Sequence, residues 1–145
     1  NGDVTFRPLM PDVSGLMVVG DATSLTVTDL NGNQRPDLMV ARNGAAPQIY
    51  FNNAGAGSFY HIRLLGDPGN PLAIGAHLTL LYDDKRVSVM ENRAGSGYLS
   101  QSSAGMFLSV PNQVKLVSIK VQWPNGKSSL HEVDQSSKEI VLESR

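Results

Sequence analysis

Oxygen-bearing side chains recur at odd-numbered positions of one nine-residue stretch, residues 29–37. Asp29, Asn31, Asn33 and Asp37 stand at its first, third, fifth and ninth positions, and Arg35 at the seventh offers a backbone carbonyl. Carboxylate, amide and carbonyl oxygens are the ligands that Ca²⁺ takes in loops of this kind. The spacing therefore predicts a calcium site.

The composition of this loop predicts weak binding. Only Asp29 and Asp37 carry charge, and Gln34 stands at the sixth position, where a tight calcium loop has glycine. Fewer carboxylates lower the affinity, so we expect a Kd on the order of 10⁻⁴–10⁻³ M. The alternative is a turn held by side-chain to backbone hydrogen bonds, which explains the Asn and Asp residues but not their odd-numbered spacing.

A second candidate site combines the loop at residues 95–103 with Trp123. Tyr98 offers an aromatic face, and the loop also carries neutral hydrogen-bonding groups suited to sugars or peptide backbones: Ser100, Gln101 and Ser102. In the alternative interpretation, the loop satisfies backbone groups at the end of a sandwich and Trp123 belongs to the core. The first interpretation predicts a ligand surface and the second a structural loop.

The sequence contains no convincing catalytic set, so we expect no enzyme. Three histidines lie in separate predicted strands, none with a carboxylate at dyad spacing: His61, His77 and His131. Residues 95–97 do not fit the G-x-S-x-G elbow, and no helix follows them. Glu91 could in principle form a glycosidase carboxylate pair with Asp83 or Asp84. The two aspartates occupy a predicted turn, however, where water would solvate them, so we do not expect such a pair.

Composition excludes several classes of function. The net charge is −1 and the 12 basic residues are dispersed, which argues against a nucleic-acid partner. No apolar run approaches the roughly 18 residues of a membrane span. Without cysteine, disulfides and zinc thiolate sites are excluded. Because Asn1 begins without Met or a signal peptide, we expect a piece of a longer polypeptide.

Frequent Gly, Pro, Ser, Thr and Val predict an all-β fold. The alternation of Val117, Ile119, Val121 and Trp123 with polar residues predicts a strand with one buried face. Regularly spaced turn signals separate the other predicted strands. All predicted strands are at 4–8, 24–28, 37–41, 48–51, 60–65, 77–82, 86–90, 117–123, 129–133 and 139–142.

A small, Gly-rich stretch at residues 52–58 predicts a domain boundary. We therefore expect a single propeller-blade-like β-meander at residues 1–53. A small antiparallel β-sandwich-like domain is expected at residues 59–145.

Both regions resemble known families. Residues 29–38, followed by 40–43 and 50–52, resemble the last FG-GAP or VCBS-type propeller repeat, with its D-x-D-G-D-G-x-x-D-L pattern. Residues 73–76, 95–103 and 121–126 resemble three ordered motifs of the ASPIC/UnbV domain, which commonly follows such repeats.

The resemblance implies a secreted protein, located outside the cell, at its surface or in the periplasm, with calcium-stabilised repeats upstream. It implies a non-enzymatic binding or interaction module, with adhesion or carbohydrate binding as its role and a glycan or a cell-surface or matrix protein as partner. Two alternatives stay open: a structural cap of a β-propeller, and an accessory or catalytic protein acting on polysaccharide or a natural product.

Overall fold

Strands form nearly all of the regular structure, which confirms the predicted all-β class. The structure, a computed structural model, describes residues 5–53 and 55–144. Its elements in sequence order are α1 (Pro11–Ser14), β1 (Ala22–Thr28), β2 (Asp37–Arg42), β3 (Ala45–Tyr50), β4 (Ser58–Leu65), β5 (His77–Tyr82), β6 (Val87–Glu91), β7 (Met106–Val110), β8 (Leu116–Gln122), β9 (Ser128–Glu132) and β10 (Glu139–Glu143).

The first sheet is an antiparallel meander in the order β1-β2-β3. Val27 pairs with Leu38, which in turn pairs with Tyr50, so one face of the sheet carries an apolar row. The loop at residues 29–37 joins β1 to β2. The meander therefore positions the predicted calcium loop at one end of the sheet.

The prediction of a strand at residues 4–8 is wrong for residues 5–8, which belong to no strand, and Val4 lies outside the described residues. Phe6 is 95% exposed, so no apolar burial favours a strand there. The short helix α1, which the sequence pattern did not predict, begins at Pro11, where the fixed φ of proline suits a first helical turn.

Two further sheets enclose one core. The first has the order β10-β4-β7 and the second β6-β5-β8-β9. Ile62 and Leu142 from one sheet join Leu80, Ile119 and Val121 from the other in a single buried cluster. This two-layer arrangement is the predicted sandwich, because each sheet buries one face against the other.

Two features of the sandwich differ from the expectation. Strand β10 runs parallel to β4, with Glu139 beside His61, whereas the neighbouring pair β4–β7 is antiparallel. The connection from β9 to β10 passes from one sheet to the other, so it is not a hairpin. Strand β7 was not predicted, since its five residues follow a loop of Gly and Ser rather than a tight turn signal.

Among the described residues, no helix has the length and apolar character that crossing a membrane requires.

Candidate functional site

The Asp29 carboxylate organises the predicted calcium loop from its first position. Its Oδ1 atom accepts hydrogen bonds from the backbone N–H groups of Gly32, at 2.8 Å, and Asn33, at 3.1 Å. Its Oδ2 atom accepts the N–H of Gln34 at 2.7 Å. The carboxylate therefore points into the loop, which is the orientation that a cation bound there requires.

The amide side chains at the third and fifth positions form local turns. Asn31 Oδ1 accepts the N–H of Asn33 at 3.1 Å, and Asn33 Oδ1 accepts the N–H of Arg35 at 2.9 Å. Gln34 has φ of 65°, in the left-handed region that glycine normally occupies in calcium loops. The backbone thus adopts the left-handed turn although the sequence has no glycine at the sixth position.

Asp37 closes the loop and is fully buried. Its Oδ2 atom accepts the N–H of Leu30 at 2.9 Å, and its Oδ1 atom accepts the N–H of Asn52 at 2.8 Å. None of the ion pairs among the described residues includes Asp37. A buried carboxylate is normally paired with a cation or coordinates a metal, so its donor set fits a calcium ligand.

A cation bound in this loop would have few charged ligands. Within residues 5–53 and 55–144, no group of three or more His, Cys, Asp or Glu side chains is placed to hold a metal. The available ligands are two carboxylates, the amide oxygens of Asn31 and Asn33, and the carbonyl of Arg35. Asp29 Oδ1 accepts two N–H groups, whereas Asp29 Oδ2 and the Oδ1 atoms of Asn31 and Asn33 accept one each. The oxygens that accept a single N–H retain a lone pair for a weakly held Ca²⁺.

The second predicted site lies against the meander. Ser100 Oγ donates to the carbonyl of Leu25 at 2.7 Å, and Ser102 Oγ accepts the N–H of Val27 at 3.1 Å. The backbone N–H of Ser103 donates to the carbonyl of Val27 at 3.3 Å. Residues 100–103 therefore cover the edge of β1, the outer strand of the first sheet. We call this contact the loop–β1 contact.

The remainder of this loop is held in a defined shape. Gln101 Oε1 accepts the N–H of Gly95 at 2.8 Å, and Leu99 has φ of 52°. Gly97 lies so close to Ser100 that a Cβ atom at residue 97 would clash with the Ser100 Oγ atom. Tyr98 is 78% exposed at the tip of the loop. The predicted ligand residues thus divide: Ser100 and Ser102 contact β1, whereas Tyr98 projects into solvent.

Trp123 is 3% exposed and belongs to the buried cluster of the sandwich. Its Nε1 donates to Ser129 Oγ at 2.8 Å, and Ser129 Oγ lies 2.8 Å from His131 Nε2. The sequence pattern did not predict this Ser–His contact, which an i, i+2 spacing on a strand allows because both side chains share one face.

One edge of Trp123 lines a cavity of about 270 Å³, together with Asp67, Asn70, Asn125 and Ser144. A cavity of about 790 Å³ lies in the first region between residues 14–16 and the meander. Ser129 and His131 line neither cavity. The Ser–His contact therefore has no adjacent substrate space in these two cavities.

The carboxylates of Asp83, Asp84 and Glu91 have local partners. Asp83 Oδ1 accepts the N–H of Lys115 at 3.0 Å, and Asp84 and Glu91 form ion pairs with Arg86 and Arg93. Desolvation raises the pKa of Asp84, but the backbone and side-chain N–H groups of Arg86 and its charge together outweigh this effect, so the pKa lies below its ordinary value. These carboxylates thus have structural roles on the surface.

His61 faces away from the sandwich core, stacked on Phe107 with ring centroids 4.6 Å apart. Its Nε2 atom is buried, and no described residue bonds to it. Burial lowers the pKa of His61, because the charged ring loses hydration. Glu139 and Asp29 oppose this effect, while Arg63 adds to it.

The model of the protein family described as ASPIC and UnbV matches residues 66–145. This match lies within the region, residues 59–145, in which the sequence motifs predicted such a domain, and the match confirms that resemblance. No curated protein matches the sequence.

Proposed function

This chain belongs to the ASPIC and UnbV family, and from that premise we propose that its matched region is a non-enzymatic interaction module that caps the preceding β-meander. The loop–β1 contact carries this proposal. An outer strand exposes unpaired N–H and C=O groups that attract other strands, and covering such an edge prevents that pairing. Ser100, Ser102 and Ser103 provide this cover through three hydrogen bonds.

The meander itself, in this proposal, is the last FG-GAP or VCBS-type repeat of a propeller whose other repeats lie upstream in the same polypeptide. Met39, Ile49 and Phe51 are 38%, 49% and 52% exposed. Met39 pairs with Ile49 across β2 and β3, so these two side chains lie together on one face, and Phe51 follows the end of β3. A single repeat cannot bury both of its faces, so a neighbouring repeat is the partner we propose for this one.

Calcium is the proposed cofactor of the loop at residues 29–37, with a structural role. The buried Asp37 carboxylate and the inward orientation of Asp29 support it. A site with two carboxylates suits the millimolar calcium found outside cells, which agrees with the proposed secreted location. Occupancy would hold β1 and β2 in fixed register beside the loop–β1 contact.

A second candidate function is recognition of an external partner, a glycan or a cell-surface or matrix protein. Tyr98 supports it, because a solvent-exposed tyrosine contributes a large contact area and loses little side-chain entropy when it binds. Loss of glycan-array binding in Tyr98→Ala would support this candidate, and a native protein that binds no glycan would remove the carbohydrate version. Catalysis on polysaccharide or a natural product is the third candidate, because neither of the two cavities described above is lined by two carboxylates.

The capping proposal is tested at the amide of Val27. In Ser102→Ala this N–H loses its acceptor, so its hydrogen exchange should accelerate while the sandwich amides keep their protection. Ser103→Ala is the matched control, because Ser103 contacts Val27 through its backbone N–H, which the substitution retains. Equal protection of Val27 in both variants would refute a capping role for the Ser102 side chain.

A further inference from the structure

Four Asn-Gly pairs occur in the sequence, and the structure describes all but Asn1-Gly2: Asn31-Gly32, Asn43-Gly44 and Asn125-Gly126. Asparagine is a thermolabile residue, and a following glycine presents its backbone nitrogen without a side chain to hinder attack. We propose that, among the three described pairs, Asn43 is the residue that deamidates spontaneously, and that the modification weakens the contact between residue 21 and the β2–β3 hairpin. This inference is independent of the proposed capping function.

The reaction needs only water. The Gly44 backbone nitrogen loses its proton to solvent base and attacks Cγ of Asn43, forming a new C–N bond. The bond between Cγ and Nδ2 of Asn43 breaks, and the amide nitrogen leaves as ammonia after taking up a proton, which gives a five-membered succinimide. Water then opens either carbonyl of this ring, leaving aspartate or isoaspartate at position 43.

In two of the pairs, the structure restrains the attacking nitrogen. The N–H of Gly32 donates to Asp29 Oδ1 at 2.8 Å, and the N–H of Gly126 donates to the carbonyl of Trp123 at 3.0 Å. Each nitrogen must break its hydrogen bond before it can lose its proton. Asn31 and Asn125 are restrained as well, since their Oδ1 atoms accept the N–H groups of Asn33 and Lys127.

The third pair lacks these restraints. Gly44 lies in the exposed turn between β2 and β3 with φ of 65°, and no described residue accepts its N–H. The amide of Asn43 is held only at its nitrogen, whose hydrogen bond to Asp21 Oδ2 measures 2.8 Å. In contrast to the other two pairs, the Gly44 nitrogen and Oδ1 of Asn43 therefore break no hydrogen bond to a described residue when the attack begins.

Deamidation replaces an attractive contact by a repulsive one. The nitrogen that donates to Asp21 becomes a carboxylate oxygen, so two negative charges face each other where a hydrogen bond stood. Isoaspartate also lengthens the backbone by one carbon within the turn that pairs Arg42 with Ala45. The new negative charge and the longer backbone should both weaken the 2.8 Å hydrogen bond from the Asn43 backbone N–H to the Asp21 carbonyl.

Peptide mapping by mass spectrometry tests the site. The native protein is incubated at mildly alkaline pH and compared with the protein unfolded in urea. Asn43 should convert in both states, whereas Asn31 and Asn125 should convert at a comparable rate only in the unfolded state. Conversion of Asn31 or Asn125 as fast as Asn43 in the native protein would overturn the assignment.

Thermal melting of designed variants tests whether deamidation weakens the contact between residue 21 and the hairpin. Asn43→Asp should lower the Tm, and the double variant Asp21→Asn with Asn43→Asp should recover it, because amide and carboxylate exchange places. A Tm of Asn43→Asp equal to that of the unmodified protein would show that deamidation does not weaken this contact.

Discussion

The guanidinium carbon of Arg35 lies 4.3 Å from the centroid of the Phe59 ring. Arg35 is the seventh residue of the predicted calcium loop, and Phe59 is the second residue of β4. Two positions later, Asp37 accepts the N–H of Asn52, just beyond β3. The loop that connects β1 and β2 therefore also contacts both ends of the connection between the two regions, in addition to the loop–β1 contact.

The Arg35–Phe59 contact should contribute measurably to stability. A cation over an aromatic ring is worth about 0.5–1 kcal/mol at a partly exposed site. Because Arg35 has further interactions, a double-mutant cycle with Arg35→Ala and Phe59→Leu, followed by urea unfolding, isolates the pair. A coupling energy near zero would show that the two side chains are adjacent without stabilising each other.

Calcium should raise the melting temperature. Binding to the native state alone stabilises by RT ln(1 + [L]/Kd), so ~10 mM Ca²⁺ on a site of ~1 mM contributes about 1.4 kcal/mol. Calorimetry with calcium and with a chelator measures this difference. Magnesium at equal concentration controls for ionic strength, and Asp29→Asn should abolish the shift. A melting temperature unaffected by calcium would remove the cofactor proposal.

Gln34→Gly should stabilise the protein whether or not calcium is bound. A side chain at φ of 65° costs about 1–2 kcal/mol, and glycine removes this strain at an entropic cost of about 0.5–1 kcal/mol. We expect a net gain of about 0.5–1 kcal/mol in the free energy of unfolding. Gln34→Ala is the control, since it shortens the side chain but keeps the strain. An equal gain in both variants would contradict the conformational explanation.

Local patterns were sufficient to predict most strands. The alternation of Val117, Ile119 and Val121 predicts β8 because a strand buried on one face repeats every two residues. The same logic locates the β5–β6 hairpin, where Asp84 and Lys85 supply the turn. These elements depend on neighbours in the sequence, and for that reason the sequence reveals them.

Contacts between distant residues were not predictable in this way. Ser100 and Leu25 are 75 residues apart, and nothing in either segment indicates the other. The composition of the polar loop is compatible with a ligand surface and with a loop at the end of a sandwich, because it suits several hydrogen-bonding partners equally. Its contact with β1 depends on how the two regions pack, which no local pattern encodes.

Acidification should destabilise the protein through His61. Its pKa lies below the ordinary value of 6.5 in the folded state, because burial disfavours the charged ring, and Glu139 and Asp29 offset this only in part. Between the lower pKa of the folded state and the ordinary pKa of the unfolded state, the unfolded state binds more protons. Stability therefore falls as the pH drops below about 6.5. Above that pH, the contribution of the uncharged His61 ring to the free energy of unfolding is fully present.

Urea unfolding at a series of pH values measures this effect against His61→Gln, which cannot titrate in this range. The difference in the free energy of unfolding between the two proteins should stay constant above about pH 7 and change in favour of the variant as the pH falls further. The two proteins share every other ionisable group, so the contributions of those groups cancel in the difference. Parallel pH profiles would show that His61 binds protons equally well in the folded and unfolded states, which would contradict the burial of its Nε2 atom.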